Sequence, residues 1–485
     1  MTATAELARD RRPRPRRRNL ARAMGRSVLL VLVGLLVVRS PAARAGERTG
    51  LITFNDDGAW CWFQDERALV HDGQLIIASV ANGWHDPARR GDVEIVTYDL
   101  ASGRSARSEL HDRLENDDHD VPALWMRGDG RLLAIFAKHG SQNHFYSRVT
   151  ATPRDFSTWE PPTQFSPSPS SRVTYANLHF LSAENAGRGR LYLFFRGLDG
   201  SFKPSLATSD DLGQTWAAGN VVIQVPAPFR HRPYVKYASN SRDTIHLLYT
   251  EGHPRDFDNS VYHVFYRDGT LYRSDGQAIS ALKQGLTDPQ EGTCVFRGDK
   301  DNVAWVSDLH LSPDGRPVAV YSVQKNSAGL RSSDERSGQD HRYRYARWDG
   351  SAWQDHEFAF AGTRLYVGED DYTGNICLDP DRLNTVYIST NAEPTSGAPL
   401  ISKADQRRHY EIFRGVTNDG GATWAWSPIT RDSTADNLRP IVPKWDSDHC
   451  AVLWFRGTYR SYRDYQCEIV GHVFPVVATP LRSTP

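Results

Sequence analysis

Beyond residue 50 the chain is built of short apolar runs, most of them too short for a helix. Residues 131–136, 190–195, 244–249 and 317–321 each hold Leu, Ile, Val, Tyr or Phe in strand-like order, punctuated nearby by Gly, Asp, Asn or Pro. Alternating polarity prevails, and the 3.6-residue period of an amphipathic helix is nearly missing. The apolar runs recur roughly every 50–70 residues, near the ~40–50 of common propeller blades. Such a blade cannot bury its faces alone. The pattern therefore predicts an all-β chain forming a single β-propeller over residues 46–485, with seven blades chosen from a range of six to eight. No Pro- or Ser-rich linker divides residues 50–480.

Turn chemistry supports the repeat. Ser209-Asp-Asp-Leu-Gly-Gln-Thr-Trp216 and Thr417-Asn-Asp-Gly-Gly-Ala-Thr-Trp424 share S/T-x-D-x-G-x-T-W, and weaker copies lie at Asp155-Phe-Ser-Thr-Trp159 and Trp348-Asp-Gly-Ser-Ala-Trp353. The Asp suits hydrogen bonds to turn backbone, the Gly a positive φ, and the Trp packing beneath the hairpin. The motif resembles the Asp-box of sialidase-like β-propellers. A β-sandwich with coincidental turns is the competing architecture.

Charge alters the picture at the N-terminus. Lys plus Arg and Asp plus Glu are 58 each, but eleven Arg lie in residues 1–45 against Glu6 and Asp10, so 47 basic and 56 acidic residues follow. An acidic remainder argues against a nucleic-acid groove. The apolar run from Val28 to Val38, followed by Ala43-Arg-Ala45, reads as an export signal over residues 1–45, with Arg17-Arg18 open to a twin-arginine reading. That run is about half of the ~20 residues a membrane-spanning helix needs. A secreted or periplasmic monomer without a membrane anchor is expected. Of the five cysteines, Cys450 and Cys467 bracket an expected hairpin, as a disulfide or as two buried thiols.

More specific segments are Gly58-Ala-Trp-Cys-Trp-Phe-Gln-Asp65, His119-Asp-Val-Pro-Ala123, Tyr175 followed by Tyr192-Leu-Phe-Phe-Arg-Gly197, Arg232-Pro-Tyr-Val-Lys-Tyr237, Gly252-His-Pro-Arg255, His409-Tyr-Glu-Ile-Phe413 and Asn437-Leu-Arg-Pro440. Together they resemble the BNR-repeat propeller family that includes ulvan lyases and rhamnose–glucuronate lyases. The resemblance implies β-elimination at a uronate of a rhamnose–uronic acid polysaccharide, such as ulvan or arabinogalactan side chains. By the same resemblance His119, His139, Tyr175 and Arg196 occupy catalytic positions, and Arg232 and Tyr234 a substrate-contact strand.

The residue types suit that chemistry. Elimination removes the C5 proton, which is α to a carboxylate, so the carboxylate charge has to be offset first. Arg does this with a planar fork that stays protonated, and His and Tyr serve as base and acid. A neutral His119 or Tyr175 would take the proton and the other would donate to O4, with His139 orienting the site or binding the charge. Each residue has a structural alternative: a solvated turn for His119, a satisfied strand-end histidine for His139, a core ring for Tyr175 and an internal salt bridge for Arg196.

His253, His263, Cys294 and His409 match no zinc-finger spacing, but three imidazoles and a thiolate suit a structural Zn²⁺, and the resemblance implies a structural metal near the propeller axis. Competing functions are a glycoside hydrolase, sialidase-like or the rhamnosidase branch, and a glycan-binding propeller without catalysis. The chain lacks the Arg-Ile-Pro of sialidases and carries Gln64 where the rhamnosidase branch resembles a histidine-dependent site on the opposite face, which favours the lyase.

Overall fold

The computed structural model describes residues 50–226, 232–326, 330 and 334–476. Among these, every regular element other than five single-turn 3₁₀ helices is a strand, as the alternation predicts. The strands form seven antiparallel sheets in a ring, each with its innermost strand at the axis. In chain order the innermost strands of blades 1 to 7 are Ala68–His71, Ala123–Met126, Thr174–Leu181, Val235–Ser239, Asn302–Leu311, Ile376–Asp379 and Asp436–Ile441. Ring closure joins the two ends of the described chain. Ile52–Asn55 pairs with Asp464–Pro475, with Ile52 opposite Gly471, and forms the outermost strand of blade 7. Blade 4 departs from four strands. It carries two further outer strands, Ala278–Ala281 and Thr293–Phe296, the latter on Val261–Arg267.

The expected strands are present as Leu132–Phe136, Arg190–Arg196, Thr244–Tyr249 and Pro317–Lys325, each the second strand of a blade. All four Asp-box copies occupy the turn from third to fourth strand. In the two full copies the networks match. Asp211 accepts from Thr215 N at 2.8 Å and Thr215 Oγ1 at 2.6 Å, and Asp419 accepts from Thr423 N at 2.9 Å and Thr423 Oγ1 at 2.6 Å. The tryptophans reach further than the hairpin beneath them. Trp216 packs on Phe165 of blade 2 and Trp424 on Phe358 of blade 5. Trp159 and Trp353 donate their indole N–H to Ser108 of blade 1 and Ser274 of blade 4. Each box thus fastens its blade to the preceding one.

Residues 58–66 run through the axis. Trp60 Nε1 donates to Arg439 O of blade 7, Trp62 Nε1 to Val306 O of blade 5, and Gln64 Nε2 to His119 O at the entry to blade 2. Asn177 of blade 3 donates to Phe63 O and Lys236 of blade 4 to Trp62 O. Residues 58–65, one of the segments that carry the family resemblance, are therefore part of a plug held by five blades.

The export signal expected over residues 1–45 lies outside the described residues, and no helix among those described is long and apolar enough to cross a membrane. All five cysteines are free. Cys450 faces Phe474 and Cys467 faces Gly457 across one hairpin, so the register keeps the two thiols apart and the free-thiol alternative holds.

Candidate active site at one mouth of the channel

Two kinds of segment converge at one end of the channel. His119 and Tyr234 lie in connections entering innermost strands and Tyr175 near the start of its own innermost strand, while Arg196 ends a second strand and His139 and Tyr462 lie in connections from second to third strand. His119 and His139 stack with ring centroids 3.9 Å apart and planes 7° apart. Tyr175 lies 5.4 and 5.8 Å from them. It sits at a register irregularity with φ of 60°, a left-handed conformation costing a non-glycine residue about 1–2 kcal/mol. That kink swings its ring toward the histidines rather than along the sheet.

Arg196 ends the second strand of blade 3, followed by Gly197 at φ 110°, where an added Cβ would lie 1.7 Å from Arg172 O. Only glycine lets the chain turn there. The Arg196 guanidinium is held between two phenol rings, 4.4 Å from the centroid of Tyr175 and 4.7 Å from that of Tyr234. The side chain is buried, and its Nε and Nη1 have no hydrogen-bond partner. A buried cation ordinarily has a counter-ion. Among the described residues none pairs with Arg196, so the salt-bridge alternative fails. Burial opposes its charge, Tyr234 and Tyr175 more than offset this, and its pKa stays raised.

Asp117 organises the imidazoles. Its Oδ1 is 2.7 Å from His119 Nδ1, and its Oδ2 is 3.2 Å from His139 Nδ1 and 3.0 Å from Arg463 Nε. Asp118 Oδ1 is also 2.9 Å from His119 Nδ1 but is left without a hydrogen bond, since that nitrogen carries one proton. Asp118 Oδ2 accepts from Arg439 and Tyr459. Burial lowers His119, but Cys61, Tyr175, Asp117 and Asp118 outweigh it and the ring titrates well above its ordinary value. His139 moves the other way, to about 4, through burial and then the charge on His119. Stacked imidazoles this close hold one proton between them, and the ring with two carboxylates keeps it. Against the expected neutral His119, these shifts favour His119 as the charged ring and His139 as the neutral one. Tyr175 is pushed well above 10 by burial and by Tyr234, so its phenol remains protonated.

All four expected catalytic side chains thus form one contact cluster, with Tyr234 beside Arg196. Arg232 acts electrostatically on the same region, since it joins Arg255 and Arg196 in depressing buried His253. The expected zinc set is not assembled. Candidate ligand atoms within 4.8 Å of one another form clusters among the described residues, and none includes His253, His263, Cys294 or His409. His253 packs on Tyr234 and Trp305, His263 lies 3.0 Å from His246 and 2.8 Å from Ser274 Oγ, and His409 is held by Asp405 and Asp436. Cys294 lies across the sheet from Tyr262. The residues do not fit the metal, because each imidazole is committed elsewhere.

Asp117, Tyr462 and Arg463 were not expected. Asp117 could have been suspected from the acidic run around His119, whereas nothing local marks the other two. The opposite mouth also went unnoticed. There a cavity of about 320 Å³ is lined by Asp65, Glu66, Arg67, His179, Asp308 and His310. Asp65 pairs with Arg67 and Lys236, and Asp308 with His310. Burial and Asp65 push Glu66 up to about 7.

Seven antiparallel sheets in a ring, with Asp-box turns between third and fourth strands, place the chain in the class of Asp-box β-propellers. The chain belongs to the BNR repeat-containing family, whose model matches residues 82–361. Among solved structures it is similar to a polysaccharide lyase of a new family, PL25 ulvan lyase, bound to -[GlcA(1-4)Rha3S]-, with 15% identity, a TM-score of 0.61 and coverage of 87% of this chain and 95% of that one. A second structure of a PL25 ulvan lyase matches with the same figures. The polysaccharide lyase Uly1 matches at 10% identity with a TM-score of 0.49, covering 85% and 90% of the two chains. No curated protein matches the chain.

Proposed function

We propose that the protein is a polysaccharide lyase that cleaves an acidic, uronate-containing glycan, with rhamnose–uronate polymers such as ulvan or arabinogalactan side chains as the substrate class. The observation that carries this reading is Arg196, a buried guanidinium without a counter-ion, placed beside a neutral imidazole. A substrate carboxylate supplies the missing partner, and its charge is offset where the C5 proton must become acidic. The likeness to ulvan lyases supports the fold on which this reading rests.

In this scheme His139, the more accessible of the two imidazoles, donates Nδ1–H to Asp117 and accepts the C5 proton on Nε2. The C5 electron pair forms the C4=C5 double bond as the C4–O4 bond breaks. Tyr175, held protonated, donates to O4, and the proton on His139 then restores the phenol. His119, as imidazolium, keeps its stacked neighbour neutral. The metal expected from the family is given no part, since its residues are not gathered.

Incubation with ulvan and with gum arabic, following the ultraviolet absorbance of an unsaturated uronate, tests the reading. Absorbance should rise with the wild-type protein. Reducing ends appearing without that absorbance would replace elimination by hydrolysis. One observation favours that second reading: Glu66, titrating near 7, shares the opposite cavity with ionised Asp308, the kind of divided carboxyl pair hydrolysis uses.

A further inference from the structure

The hairpin of blade 7, His449–Ser461 and Asp464–Pro475, is the longest among the described residues, and its turn extends over the entry to blade 2. Tyr462 O accepts from Asp118 N at 2.9 Å, and Arg463 O accepts from Asn116 Nδ2. The Tyr462 ring stands edge-on to both imidazoles, 5.0 Å from His119 and 5.6 Å from His139. Arg463 places Nε 3.0 Å from Asp117 Oδ2, the same oxygen that His139 approaches at 3.2 Å. Asp117 is fully buried, whereas the Arg463 side chain is 59% exposed.

An exposed arginine on a buried carboxylate is a poor stabilising device, because its own charge stays solvated and screened by salt. Its effect on what that carboxylate does is larger. We propose that Arg463 is a positioning residue of the site: by occupying one oxygen of Asp117 it limits the hold of that carboxylate on His139 and leaves this imidazole free to accept a proton. Tyr462 closes the remaining side of the pair against water. The role of His139 as base rests on the lyase reading; the coupling of Arg463 to His139 does not.

The groups facing His139 are accounted for. Glu115 accepts its backbone N–H, Asp117 meets Nδ1, His119 stacks on it, and Tyr175 and Tyr462 flank it. Arg196 acts on it as a further cation, and Arg463 is positioned to act through Asp117. Removing Arg463 leaves Asp117 one positive neighbour fewer, so the carboxylate turns more of its charge on His139 and raises its proton affinity.

The test is an NMR titration of the histidine ring protons in the full chain without substrate, comparing wild type, Arg463→Gln and Arg463→Lys. Gln should move the His139 titration up by about one pH unit, a tenfold change in proton affinity. Lys, which keeps a cation, should hold it near the wild-type position. Circular dichroism and thermal melting of each variant confirm that the comparison is between folded proteins. An unshifted His139 in Arg463→Gln overturns the inference, as does Lys shifting it as far as Gln does. Because no catalysis is read, these outcomes stand apart from the lyase assay. With a cleaved substrate in hand, Arg463→Gln should displace the acid limb of kcat/KM upward by the same amount.

Discussion

The two mouths of the channel solve the burial of charge in opposite ways. At one mouth Arg196 is buried between Tyr175 and Tyr234 without a counter-ion. At the other, Lys236 and Arg67 both pair with Asp65 and His310 pairs with Asp308. The first arrangement leaves a charge unsatisfied until an anion arrives. The second is largely self-compensated, apart from Glu66 and the buried His179 Nε2, which has no partner. The larger cavity is the compensated one. Size and charge compensation therefore point to different mouths, and the proposed lyase reading follows the uncompensated buried cation rather than the larger cavity.

The largest expected effect probes that asymmetry directly. Arg196→Ala should cost ~3–4 kcal/mol of transition-state stabilisation, seen mainly as a fall in kcat rather than a rise in KM. Steady-state kinetics on a cleaved polymer measures this. A variant that cleaves at the wild-type rate removes the site, and one that is inactive while Glu66→Gln cleaves normally confines the chemistry to the first mouth. Should Glu66→Gln be the inactive variant, the second reading takes over.

Next come the proton carriers. His139→Ala and Tyr175→Phe should each lower kcat about 10²-fold or more. Because His139 titrates near 4 in the folded protein, kcat/KM should climb through that pH and remain level toward neutrality. A limb near 6.5 would mean that the imidazole is not held neutral by its neighbour. Loss on Arg196→Ala with a fully active Tyr175→Phe would keep the pocket and reassign the acid.

On the compensated side the expected effects are on stability. Lys236→Ala leaves Asp65 with Arg67 alone and withdraws a donor from Trp62 O. A broken buried pair costs about 3 kcal/mol, to be read from denaturant melts. If function is unaffected once folding is restored at low temperature, the pair serves the plug alone.

The smallest effect is one of pH. Glu66 keeps its proton to about 7 in the folded state against 4.5 in the unfolded chain. Its raised pKa therefore contributes stability that is complete below the unfolded value and is lost as pH rises through that window. Glu66→Gln should flatten this fall, which melting temperatures at pH 5 and pH 8 would register.

Much of this molecule is local, and what is local was legible. Strand positions follow from alternation, and the Asp-box networks close within a few residues, so the turns can be read off S/T-x-D-x-G-x-T-W without knowing the fold. The convergence of His119, His139, Tyr175 and Arg196 was anticipated through family resemblance, on motifs that sit at strand ends. Tertiary structure alone decided what each group would be there. Which imidazole is charged depends on two carboxylates and a stacked ring. The zinc set fails because each histidine finds nearer partners, and Arg463 reaches Asp117 across 346 residues of sequence. Proton affinity and pairing are set by burial and by neighbours brought from other blades, which no local pattern encodes.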